Sequence, residues 1–283
     1  MPEATDRTHF YHAEATVLHG DLHHPLVQEI KPQVNVKLAQ EGGYLSEHAE
    51  PYRLEGVISF SKAYTQVAGN PDPKEGHGWS TLSTSVVENL NVLEVVTADR
   101  VVAQISTDYP LEGYVPTVHF LGTRFENLRI AGHPVNVQMH PDPSFLGEKP
   151  PDDGPYTRHP ALLERLEQQF NSIRNAQNVP DDIVQRYNGV SSTSDGVESI
   201  ECSLVEKADG PYPGLCFGHV IHVPGFGKIH LAVLKIEHSD YDKQKRAWKK
   251  TLFDLTMIEL EMGCIGGGKS GIGNTITNGT TEP

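Results

Sequence analysis

The chain has 283 residues, 37% of them hydrophobic, and its 23 Lys and Arg against 37 Asp and Glu give a formal net charge of −14. That length and apolar share suffice for one large β domain or two modest ones, and exclude a chain too polar to bury a core. The negative charge opposes a phosphate backbone, so neither nucleic acid nor an anionic membrane is an expected partner.

The opening segment, Met1 to Glu14, lacks the apolar run of a secretory signal peptide, and no stretch approaches the ~20 apolar residues that span a bilayer. A cytoplasmic location is therefore expected. Strand patterning comes next over Phe10 to Leu18, Gln33 to Ala39, Arg53 to Val67, Thr81 to Val96, Arg100 to Thr107 and Thr117 to Ile130. Gly42-Gly43, Gly69-Asn70-Pro71 and Gly76-His77-Gly78 supply turns between them. Residues 1–140 thus read as an N-terminal β-rich half. Residues 141–159, dense in proline and aspartate, including Asp152-Asp153, read as a surface excursion.

Residues 160–190 read as a helical insertion. Leu163, Leu166, Phe170 and Ile173 recur at helical spacing behind Pro160, which suits a first turn, and Asp181 to Tyr187 makes a second short helix. Residues 191–283 return to β structure at Val197 to Glu206, His219 to Val223, Lys228 to Glu237 and Leu252 to Met262, and are expected to share one core with residues 1–140. Pro224-Gly225-Phe226-Gly227 forms a hairpin turn. Pairing Val223 with Lys228 there would put His222, Ile229, Val220 and Leu231 on a core face, and His219, Ile221 and His230 on the other. The cluster Lys243-Gln244-Lys245-Arg246 reads as a solvated loop or strand edge. The glycine- and threonine-rich tail from Gly263 is expected to extend or fray beyond Asn274. The expected fold is mainly β, a sandwich or barrel of antiparallel strands with a short α-helical insertion.

The string Gly263 to Ser270 satisfies the spacing of a phosphate-binding loop, but such a loop opens a helix, and the glycine- and threonine-rich residues 271–283 have poor helix propensity. Cys202, Cys216 and Cys264 are odd in number and form no C-x-x-C pair, so they read as buried free thiols. No strained G-x-S-x-G turn is present, and no residue is assigned a catalytic role. Fifteen histidines leave one opening for a divalent metal. His19 and His23, with His24 and Asp21 beside them, and His219 with His230 across the hairpin, are its candidate ligands. Neither group has H-E-x-x-H spacing, and no other cofactor is expected.

Two stretches carry a family likeness. Val95 to Ala103, containing Thr97-Ala98-Asp99, is followed by Gly122-Thr123-Arg124-Phe125-Glu126-Asn127-Leu128, and later come Pro224-Gly225-Phe226-Gly227 and Leu255-Thr256-Met257. Together they resemble the choice-of-anchor P family. The resemblance implies an extended β-rich module of unassigned activity, with surface display and no catalytic residues to carry over.

The function expected from these observations is a non-catalytic binding or self-assembling β protein, with a homo-oligomer built on its long strand edges. A metal-binding protein is the alternative. A third reading is a carbohydrate or small-molecule binding module using Trp79, Tyr109 and Tyr114.

Overall fold

The computed structural model describes residues 7–23, 27–70, 72–73, 78–140, 145–150, 154–244, 247–263 and 268–282. His24, Pro71, Gly76, His77, Asp152, Asp153, Lys245, Arg246 and Cys264, all singled out above, lie outside them. The N-terminal half forms β1 (Thr8–Leu22), β2 (Gln28–Lys37), β3 (Gly43–Ala49), β4 (Tyr52–Leu54), β5 (Ile58–Phe60), β6 (Lys62–Gly69), β7 (Trp79–Val92) and β8 (Val96–Tyr109). Five short strands succeed them: β9 (Thr117–His119), β10 (Arg124–Glu126), β11 (Arg129–Ile130), β12 (His133–Pro134) and β13 (Asn136–Met139). Helices α1 (Pro160–Arg174) and α2 (Asp181–Arg186) come next. The chain then returns through β14 (Ser191–Ser192), β15 (Glu198–Ser203), β16 (Val205–Asp209), β17 (Leu215–Phe217) and β18 (Val220–Val223). It closes with three long strands, β19 (Gly227–Asp242), β20 (Ala247–Met262) and β21 (Gly268–Glu282).

One sheet runs β14-β15-β19-β20-β21-β1-β2, with β17 and β18 continuing from β19. The second is built on β8, β7, β6 and β3 and carries the short strands, while β13 and β16 pair separately. Among the described residues all the pairings are antiparallel and neither sheet closes on itself, so of the two expected architectures this is the sandwich. The sheets face each other across one large apolar cluster drawing on both halves of the chain, with Val17, Val87, Val101, Phe253, Leu255 and Leu260 among its members. Ser83 Oγ and Ser85 Oγ of β7 donate across this interface to the carbonyls of Glu14 and Thr16, at 2.8 and 3.0 Å. These two hydroxyls thus join the layers. Among the described residues, no helix is long and apolar enough to cross a membrane.

The tail corrects an expectation. Far from fraying, β21 lies in the middle of its sheet, paired with β1 from Thr8↔Glu282 to Leu22↔Gly268 and with β20 on its other edge. Thr275 and Thr277 turn inward, fully buried, so β-branched threonine fills core positions that apolar residues usually mark. The glycines have a packing reason: a β-carbon on Gly279 would lie 2.5 Å from the His9 ring and 2.8 Å from Tyr109. Gly279→Val is therefore expected to lower the unfolding free energy by about 1–3 kcal/mol through overpacking. A urea midpoint equal to that of the wild type would contradict this packing.

A second feature crosses the same sheet. Ala232, Met257, Gly273, Val17 and Val34 stand on one transverse rung of β19, β20, β21, β1 and β2, and strand pairing lapses at each of them. Ala232, Gly273 and Val34 adopt left-handed backbone, with φ of 45°, 65° and 50°. Such residues interrupt the two-residue alternation of side chains. In β20 the inward positions accordingly pass from Phe253, Leu255 and Met257 to Ile258, Leu260 and Met262. Below this crease His230 and Glu259 project toward α2, where Tyr187 and Arg186 meet them.

The hairpin after β18 also departs from the expected register. Val223 pairs with Gly227, His222 with Lys228 and Val220 with His230. The one-residue shift leaves Ile229 on the core side, where it was expected, and brings Ile221 to it, while Val220 and His222 fall on the face of His230, so only the expected sorting of β18 is exchanged. In α1 the buried stripe is Leu162, Leu166, Phe170 and Ile173, with Leu163 only half-buried.

Candidate functional site

The helices place two distinct sets of side chains. Under α2, Tyr187 donates to or accepts from His230 Nδ1 at 2.9 Å, and the His219 ring meets the Tyr187 ring edge-on at 4.4 Å. The amide of Leu231 donates to the carbonyl of His219, which fixes His219 beside β19. Both imidazoles are almost fully buried. Burial, and then the nearby charges of His230 and Arg186, holds His219 well below the ordinary histidine value. Burial and Arg186 bring His230 down to about 4.

Arg186 caps this cluster. Its Nη1 and Nη2 donate to the two carboxylate oxygens of Glu259, each at 2.7 Å, and its Nε donates to Glu201 at 2.6 Å. Burial works against the guanidinium charge, but the hydrogen bonds to Glu259 outweigh it and hold Arg186 above its usual value. Burial likewise opposes ionisation of Glu259, and the same bonds hold it below the carboxylate range. Lys228 joins Asp182 of α2 to Glu261. This is a packed ionic network with two neutral imidazoles beneath it.

Of the expected metal ligands, His219 and His230 are therefore brought together, both against Tyr187. His19 lies over Gly271, where a β-carbon would meet its ring at 2.6 Å, and His23 is exposed just past the end of β1. Among the described residues, no three His, Cys, Asp or Glu side chains gather in a way that could hold a metal ion. Cys202 is buried and Cys216 half-buried, both as free thiols. Trp79, Tyr109 and Tyr114 do not form a sugar platform, because all three are buried. Trp79 and Tyr109 pack on His9, Trp79 stacked on its ring at 5.3 Å, and Tyr114 lies under Arg7.

The second set lines an open groove of about 450 Å³ beside α1. Ala161, Arg165, Gln168 and Ser172 succeed one another at three- and four-residue spacing, so one helical face makes the first wall. The opposite wall comes from His140, Phe145, Val205 and Glu206. Gln169 sets the distance between them: its Nε2 donates to the Ser203 carbonyl and its Oε1 accepts from the Ser203 amide, both at 3.0 Å. The His140 amide donates to Leu204 O, and its ring meets Phe145 edge-on at 5.2 Å.

The Arg165 guanidinium lies over the Phe145 ring, 5.6 Å from its centroid, and its Nη1 is shut off from solvent with no hydrogen-bond partner among the described residues. Sequence patterning alone places Arg165 among the charged residues around an amphipathic helix and so misses it. The available signal is position: Arg165 stands three residues after the buried Leu162 and four before Gln169, on the margin of the buried stripe rather than opposite it.

A family model described as a domain of unknown function (DUF8256) matches residues 9–237. No curated protein matches the chain.

Proposed function

We propose, for a chain that belongs to the DUF8256 family, a non-catalytic binding role in which the β-sandwich holds a small organic ligand in the groove beside α1. The observation that carries this reading is the groove itself, about 450 Å³, with apolar Phe145, Leu166 and Val205 beside a few polar groups. That size and mixture are typical of small-molecule sites. The ion pairs under α2 satisfy one another and fix α2 on the sheet, while His230 Nε2 and both ring nitrogens of His219 have no hydrogen-bond partner among the described residues.

Thermal-shift measurement against a panel of small metabolites tests it, since a ligand that binds only the folded state raises the melting temperature. At least one compound should stabilise the protein, and Ala161→Trp, which fills the groove from the helix side, should abolish that shift. A panel without effect, or shifts that Ala161→Trp leaves intact, would sink the reading.

A second reading, self-assembly, is favoured by β3. Its residues are exposed on both faces, Tyr44 and Leu45 at 61% and 46%, and among the described residues only one of its edges is paired, with β6. An open edge of this kind suits antiparallel pairing with the same strand of a second copy. Native mass spectrometry should then detect a dimer at micromolar concentration that Leu45→Lys dissociates. A species that is monomeric throughout would exclude it.

A further inference from the structure

The charges around the groove narrow what it can hold. An arginine cannot shed its proton, and a buried charged donor left without an acceptor costs on the order of 1–3 kcal/mol or more. Arg165 lines the groove and enters no ion pair among the described residues, so its charge calls for an anionic oxygen there, and a carboxylate is the strong, charge-assisted partner for a guanidinium.

Glu164 beside Arg165 and Glu206 on the facing wall also line the groove, and neither enters an ion pair among the described residues. Two carboxylates repel a ligand carrying several negative charges, so phosphorylated compounds fit poorly. A simple cation would leave Arg165 unsatisfied and place like charges together. Both signs are met by a molecule that carries both.

We propose that the groove binds a zwitterion of the amino-acid class, its carboxylate on Arg165, its ammonium group facing Glu206 and Glu164, and its side group against Phe145 and Val205. This rests on the groove being a ligand site.

The test is calorimetric titration of the full chain with the common L-amino acids, and, for the best of them, with its des-amino acid and its decarboxylated amine. At least one amino acid should bind, with each truncated analogue about tenfold weaker or worse, the loss expected for one charge-assisted contact. Arg165→Gln should abolish discrimination against the amine, and Glu206→Gln should weaken discrimination against the des-amino acid. If Arg165→Gln fails to fold, Arg165→Lys serves, keeping the charge but losing the fork and part of the affinity. Amino acids that give no binding, or bind no better than both analogues, overturn the assignment. Should a metabolite of the panel still bind in a way Ala161→Trp blocks, the groove stands as a ligand site and only the zwitterion fails.

Discussion

Lowering the pH from about 7.5 to about 5 is expected to remove several kcal/mol of folding stability. His9, His230 and His238 are each brought down to about 4, chiefly by burial, and His219 lies well below 6.5 for the same reason. His238 shows the mechanism. Its Nε2 accepts the Tyr156 amide at 3.0 Å and its Nδ1 bonds Thr251 Oγ1 at 3.1 Å, so a second proton would break the bond that holds the turn leading into α1. In the unfolded chain these imidazoles take up protons below about pH 6.5, while in the folded chain they stay neutral. Their contribution is therefore complete above that value and declines as pH falls toward about 4. By pH 5 each of the three brought to about 4 should have cost about 2 kcal/mol. Glu198 and Glu259, held below the usual range, lose their contribution only further down. Asp254, raised by burial, works in the opposite sense. Urea midpoints measured across this range check the result, and a flat profile would mean the imidazoles are not held neutral.

Arg186→Met should be among the most damaging single substitutions outside the apolar core. The methionine keeps most of the volume but leaves Glu259 half-buried without its bidentate partner and releases Glu201. Stranding one partner of a buried pair costs about 3–5 kcal/mol, against near-neutrality when both charges are removed together. The double variant Arg186→Met with Glu259→Gln should therefore recover a large part of the loss. Denaturant titration of the three variants checks this. Equal destabilisation of the single and the double would show that Arg186 acts by packing over Tyr187, where its guanidinium lies 5.4 Å from the ring centroid, and not by charge.

Much of the fold is legible in the residues, for identifiable reasons. The strands β1, β7, β8, β19 and β20 carry enough Val, Ile, Leu and Phe in alternation to declare themselves, and the stripe ending in Phe170 and Ile173 gives the helix. The last strand is hidden because its composition, GKSGIGNTITNGTTE, is that of a loop. Its stability comes from two neighbouring strands rather than from its own propensity. The hairpin register is missed by one residue because local turn chemistry permits both pairings, and only the packing of Ile221 and Ile229 into the core decides. The groove is the least legible feature. Its walls are separated along the chain by the excursion after His140 and by a third of the helix, and what distinguishes Arg165 is an unmet hydrogen bond, a property of three dimensions.

The crease through Val34, Val17, Gly273, Met257 and Ala232 has a consequence for how the sheet avoids mispairing. An ordinary flat ladder can slip by two residues and still offer the same faces. Here five adjacent strands carry their irregularity at the same height, so sliding any one of them would set a left-handed residue against regular neighbours and turn part of its apolar row toward water. The kink works as a keyway: the strands engage in a single alignment, and a lone insertion or deletion in any of them should be tolerated only when matched in its neighbours.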